Sequence, residues 1–279
     1  MLRKEVLAGI AAALASPAES PFAGIERVRG VVLGVCAVDT GSGATLMWRA
    51  REHFPLASTQ KLPLVMATLA RVDAGRERLD RPVRIRRQER VAYSPVVGRY
   101  PDGATLSIAA LCRAAISRSD NTAADMLARE LGGPAATTAF LRRIGVRGIR
   151  VDRYERELPP RALRGDARDG GTPESMARLV ARLISGPPLS AENTARLLGW
   201  MRATTTGTAR LRAGVPLGWT VADKTGTYAN AANDVGLLFP PAGGAPLAVA
   251  VFVFGGPDGE REPAIADAAR VLSRQERRR

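Results

Sequence analysis

The sequence predicts an α/β protein: an antiparallel sheet flanked by terminal helices, plus an all-helical lobe, with a site between the two. Three observations carry this reading. Runs of β-branched apolar residues fall near the two ends of the chain. Between them, from residue 58 to about residue 202, apolar positions recur at spacings of three and four, the period of a helix that buries one face. After the last strand signal, 261–274 again reads as a helix. Both ends of the chain then supply one sheet, with residues 17–50 and 210–279 in an α/β lobe and 51–209 in the helical one. The junction of two such lobes is where a pocket is expected.

The elements follow in order. Residues 1–15 have a basic start, a short apolar stretch and Ala13-Leu14-Ala15 before Ser16, which reads as an export signal. Arg3-Lys4-Glu5-Val6-Leu7 resembles a degenerate twin-arginine signal; an ordinary first helix is the alternative. No later apolar run is long enough to span a bilayer, so no stable membrane insertion is expected. Gly30–Val38 reads as a strand, Asp39-Thr40-Gly41-Ser42-Gly43 as a turn and Ala44–Arg49 as the returning strand. Helices are expected over 62–72, 108–116, 122–131, 137–144, 173–184 and 191–202. Thr172-Pro173 is a good start for one of them, with Thr as N-cap and Pro in the first position. Strands return at Trp219–Ala222, Asp234–Phe239 and Leu247–Phe254.

Composition excludes several classes. The net charge of +14 would permit nucleic-acid binding, but the arginines are scattered and no basic run is interleaved with aromatics. A single histidine, His53, rules out a His-rich metal site and argues against a Ser-His-Asp triad. Cys36 and Cys112 form no metal motif, and each sits in an apolar run, as a buried free thiol does. No metal and no cofactor are expected. Of 41 basic residues only three are lysines: Lys4, Lys61 and Lys224. Arginine does not lose its proton near neutral pH, whereas a buried lysine can. Lys61 and Lys224 therefore read as chemically required.

Three short motifs surround these lysines. In Ser58-Thr59-Gln60-Lys61 the serine and lysine are three residues apart and share one helical face, so the amine can activate the hydroxyl. Such a pair is expected roughly once by chance in a chain this long and is weak alone. Ser119-Asp120-Asn121 lies between two helical stretches. In an extended loop Ser119 and Asn121 point to one side; Asp120 could equally be a helix N-cap. In Lys224-Thr225-Gly226, after a strand, the lysine supplies positive field and the threonine a hydroxyl for a carboxylate. The glycine lets a substrate approach the strand. The N–H groups of Thr227 and Ser58 can form an oxyanion hole.

In this order the three motifs are the signature of class A β-lactamases and penicillin-binding proteins, and the chain resembles that superfamily from about Pro21 onward. More of the pattern follows. Tyr93-Ser94-Pro95 resembles the segment whose aromatic residue walls the site. Arg153-Tyr154-Glu155-Arg156-Glu157-Leu158 resembles the opening of the omega loop, here 153–169. Its Arg153 would pair with Asp169, and Glu155 matches the carboxylate that activates the hydrolytic water. Leu211-Arg212-Ala213-Gly214 resembles the segment whose arginine helps bind the substrate carboxylate, which makes Arg212 a candidate.

The resemblance implies a serine β-lactamase of class A, a hydrolase conferring antibiotic resistance. Ser58, Lys61, Ser119 and Glu155 would be catalytic. Tyr93, Asn121, Arg212, Lys224, Thr225, Gly226 and Thr227 would bind a small β-lactam substrate. The protein would be a periplasmic or secreted monomer without nucleic-acid partners. The alternatives are a D-Ala-D-Ala peptidase, which normally lacks the omega-loop glutamate, and a slowly deacylating β-lactam sensor or trap.

Two positions depart from the pattern. Pro159 stands where the family usually has an Asn that helps hold the water, so slow deacylation is expected. Asp125 stands where an Asn supports the loop that carries the general base. An ionised Asp offers no donor, so a protonated carboxyl or a displaced loop is expected. Gln60 replaces a commonly aromatic or apolar residue with no evident consequence.

Overall fold

The computed structural model describes residues 20–276 except 164 and 187. The expected export signal lies outside them. A five-stranded antiparallel sheet is built from both ends of the chain: β1 (Val32–Asp39), β2 (Thr45–Trp48), β7 (Thr220–Tyr228), β8 (Ala231–Phe239) and β9 (Leu247–Phe254). Their order is β2-β1-β9-β8-β7, which leaves β7 as an edge strand. Two pairings of two or three residues account for β3 (Phe54–Pro55) with β6 (Gly170–Gly171) and β4 (Pro82–Arg84) with β5 (Thr105–Ser107).

Each sheet face is covered, as the alternation along β9 requires. Val249, Val251 and Val253 face a core shared with Ala264, Ile265 and Ala268 of α8 (Arg261–Glu276) and Phe22 of α1 (Pro21–Arg29). Ala248, Ala250 and Phe252 face the larger core, which continues into the helical lobe. The terminal helices are tied together where Arg29 donates to Glu260 and Asp267. Cys36 and Cys112 are buried free thiols, as expected, and burial pushes the Cys36 thiol up to about 12.

The helical lobe contains α2 (Lys61–Asp73), α3 (Ile108–Ser117), α4 (Asn121–Leu131), α5 (Ala135–Arg143), α6 (Pro173–Ala181) and α7 (Ala191–Arg202). The expected helices match these within a few residues. Thr172 caps α6 by accepting from Ser175 N–H, and Pro173 opens it. The sequence reading placed Lys224-Thr225-Gly226 beyond a strand. Instead β7 continues through Tyr228, so these residues and Thr227 lie within the edge strand. Pairing to Val235, Asp234, Asn233 and Ala232 of β8 carries them along the rim of the sheet.

Candidate active site

Ser58 sits in a 3₁₀ turn, Ala57–Gln60, that runs straight into α2. Positions i and i+3 eclipse in such a turn, and Lys61 Nζ lies 2.7 Å from Ser58 Oγ. The lysine is fully buried. It also reaches Asn121 Oδ1 at 2.5 Å, the Ser119 carbonyl at 3.0 Å and Glu155 Oε2 at 3.4 Å. Burial pulls its pKa below the ordinary lysine value, against the opposing charge of Glu155.

The turn is held from the sheet. Asn233 of β8 donates to the carbonyls of Pro55 and Leu56 at 2.7 and 3.0 Å. Gly226 is required by the same approach: a Cβ there would stand 2.6 Å from Leu56 O and 3.0 Å from Thr59 N. The sequence reading assigned this glycine to substrate access. The structure gives it a different neighbour, the turn that carries Ser58.

Ser119 and Asn121 are not on an extended loop as expected. Ser119 has a positive φ of 53°, and Asn121 is the first residue of α4. Asp120, between them, is indeed the N-cap, accepting from Ala123 N–H. Its second oxygen accepts from the N–H groups of Val96 and Val97, which buttons the Tyr93-Ser94-Pro95 segment onto α4. Tyr93 itself is exposed. Lys224 Nζ lies 3.0 Å from Ser119 Oγ and 2.7 Å from the Thr225 carbonyl. Its pKa is drawn well below the ordinary value by burial and by the charge of Lys61. Among the described residues, five non-glycine residues have positive φ. Four of them, Ala57, Tyr93, Ser119 and Asp169, lie at or beside this cleft, and such strain clusters where function demands it.

The two ends of the 153–169 segment meet. Arg153 Nε lies 2.5 Å from Asp169 Oδ2, whose other oxygen accepts from the N–H groups of Asp152 and Arg153. Glu155 opens a 3₁₀ turn and turns its carboxylate inward, between Lys61 and Gln60 Nε2 at 3.1 Å. Asp125 lies directly against the omega loop. It accepts from Glu155 N–H at 2.6 Å and Arg156 N–H at 3.4 Å, and it pairs with the Arg156 guanidinium at 3.3 Å. The partners presented to residue 125 are donors, so an acid can serve where a donor had been thought necessary. Burial raises its pKa to about 6.

One expected binding residue is placed elsewhere. Arg212 is turned onto Asp223 at 2.5 Å and onto the carbonyls of Met201 and Arg202. Arg210 instead lies against the edge strand, ion-paired with Glu262 at 2.8 Å. Its guanidinium reaches Thr227 Oγ1 at 2.7 Å and the carbonyls of Gly226 and Asn233 at 2.9 Å each. Two arginines two residues apart gave no signal of which would face the cleft. Thr206, 2.7 Å from Thr225 Oγ1, was also missed, since a threonine in Thr204-Thr205-Thr206 carries no motif of its own.

A model of the β-lactamase enzyme family matches residues 22–275. The carbapenem-hydrolysing β-lactamase KPC of Klebsiella oxytoca is 42% identical over 270 residues, covering 95% of this chain and 91% of the relative. The chain belongs to the β-lactamase family, class A. Solved structures agree with this. The last common ancestor of Gram-negative bacteria class A β-lactamase is 43% identical, with a TM-score of 0.89 over 94% of this chain and 100% of the other. A β-lactamase from Desulfarculus baarsii is 42% identical, with a TM-score of 0.87 over 92% of this chain and 96% of the other. The fold expected from the sequence is thus the fold of this family.

Proposed function

We propose that the chain hydrolyses the amide bond of β-lactams through an acyl-enzyme on Ser58, released by water that Glu155 activates. The observation that carries this is Lys61 Nζ in contact with both the Ser58 hydroxyl and the Glu155 carboxylate. Nucleophile, amine and water base are thereby one connected unit.

In acylation Ser58 Oγ attacks the lactam carbonyl, and its proton passes to Lys61 or, through water, to Glu155. Burial favours the neutral amine that the first route needs. The oxyanion is received by the N–H groups of Ser58 and of Thr227 on the edge strand. The C–N bond breaks as Ser119, held by Lys224, gives its hydroxyl proton to the leaving nitrogen; the proton taken from Ser58 is passed back to Ser119, so that it ends on the product nitrogen and the base is free again before deacylation. Lys224, Thr225, Thr227 and Arg210 hold the substrate carboxylate, Asn121 the side-chain amide, and Tyr93 walls the opening. In deacylation Glu155 takes a proton from water as its oxygen attacks the ester, and the proton returns to Ser58 Oγ as it leaves. Side chains and backbone handle every charge, so no cofactor enters this scheme.

The KPC relative is named for carbapenem hydrolysis, and Thr227, exposed at the rim with Arg210 behind it, supports a range that includes carbapenems. The protein acts as a monomer after export, directed by the signal in residues 1–15. Among the described residues no helix is long and apolar enough to cross a membrane.

A chromogenic cephalosporin tests the reading. Sustained turnover by the native chain is expected, while Glu155→Gln gives a stoichiometric burst and an acyl-enzyme visible by mass spectrometry. Cleavage of a D-Ala-D-Ala peptide with inhibition by lactams would overturn it.

A further inference from the structure

Gln60 lies between the nucleophile and Lys61 in sequence and is buried. Its orientation is set by chemistry: an ionised carboxylate only accepts, so the amide nitrogen must face Glu155 Oε1. Glu155 is thus gripped at both oxygens, one by Gln60 and one by Lys61. From the loop side Pro159 offers no polar side chain. With the nitrogen so placed, Gln60 Oε1 is turned elsewhere, buried and without a partner among the described residues. Thr137 Oγ1 of α5 is in the same condition. Both residues line one small cavity beneath Glu155, bounded also by Asp125, Arg153 and Tyr154, with about 20 Å³ of solvent space. That is room for one water, and a water needs polar partners of this kind.

We propose that Gln60 is a positioning residue for deacylation: it fixes the Glu155 carboxylate from beneath, and one buried water anchors it in turn to Thr137. The proposal rests on the role given to Glu155 above. Gln60 is buried and its side-chain hydrogen bond goes to Glu155, so it would act through that carboxylate. A hydrogen bond to a charged group, lost when the donor is removed, is worth roughly tenfold in rate or more.

The test measures acylation and deacylation separately in a stopped-flow experiment with a slow penicillin, on Gln60→Met, Gln60→Glu and Thr137→Val. Gln60→Met keeps the volume and removes the donor. It is expected to slow deacylation about tenfold, accumulate acyl-enzyme and leave acylation within about twofold. Gln60→Glu sets a second carboxyl against Glu155, so its deacylation profile moves its acid limb to higher pH. Thr137→Val slows deacylation in the same direction by a smaller factor. Unchanged deacylation in Gln60→Met overturns the proposal. So does an equal fall in both steps together with a lower melting temperature, which would mark a purely structural role. An unaltered rate in Thr137→Val removes the water from it. Glu155→Gln run in parallel separates the two readings: if that variant deacylates normally, the role of Glu155 itself is wrong.

Discussion

Arg210 and Thr227 are joined by a 2.7 Å hydrogen bond from guanidinium to hydroxyl, and the same guanidinium holds the carbonyls of Gly226 and Asn233. One side chain, itself ion-paired with Glu262 at 2.8 Å, thus braces the edge strand behind the threonine that would meet a substrate carboxylate. Arg212, two residues on, is committed to the buried Asp223.

This division predicts two different phenotypes. Arg210→Lys keeps the charge but loses the planar fork, and KM should rise about tenfold with a smaller change in kcat. Arg212→Ala should leave KM within about twofold and lower stability by about 1–3 kcal/mol, because Asp223 loses its partner. Steady-state kinetics and thermal melts on the two variants distinguish the assignments; the reverse pattern would return the binding role to Arg212.

Asp125 makes stability depend on pH. Its folded pKa, about 6, lies above its ordinary 3.8. The folded state therefore holds this proton more tightly than the unfolded chain does. The resulting stabilisation is complete below about pH 3.8 and is lost as pH rises through about 6. Asp125→Asn accepts from the same Glu155 N–H without a buried charge. Relative to the native chain it should gain on the order of 2 kcal/mol between pH 4.5 and pH 7.5. Urea midpoints at the two pH values provide the check, and a difference between the proteins that does not vary with pH would refute it.

Gly226→Ala drives a methyl group into Leu56 O and Thr59 N. The nucleophile turn must shift, at a cost of about 1–3 kcal/mol. Acylation should fall at least tenfold while the fold persists by circular dichroism. Near-native acylation would mean the turn can yield without moving Ser58.

Much of this was legible in the sequence because the informative residues are constrained twice. Lys61 and Lys224 stand out against an arginine-rich background because both need a compact, buried amine, and their motif partners lie within three residues. The helices around them announce themselves by period and cap. What stayed hidden depends on long-range contacts between common residue types. Gln60 meets Glu155 from 95 positions away in the chain, and Asn233 reaches Pro55 and Leu56 from the far end of the chain. Asp125 was misjudged for a related reason: the loop that crosses it presents N–H groups, and a side chain's partners cannot be read from its own identity. The extent of β7 was underestimated because Lys-Thr-Gly-Thr resembles a turn in composition, whereas nine-residue pairing to β8 decides its conformation.

The two sulfhydryls, sequestered in separate elements of the interior, have a bearing on where this polypeptide can mature. Its architecture asks nothing of an oxidising compartment. With no disulfide to reduce, dithiothreitol should leave its melting curve untouched.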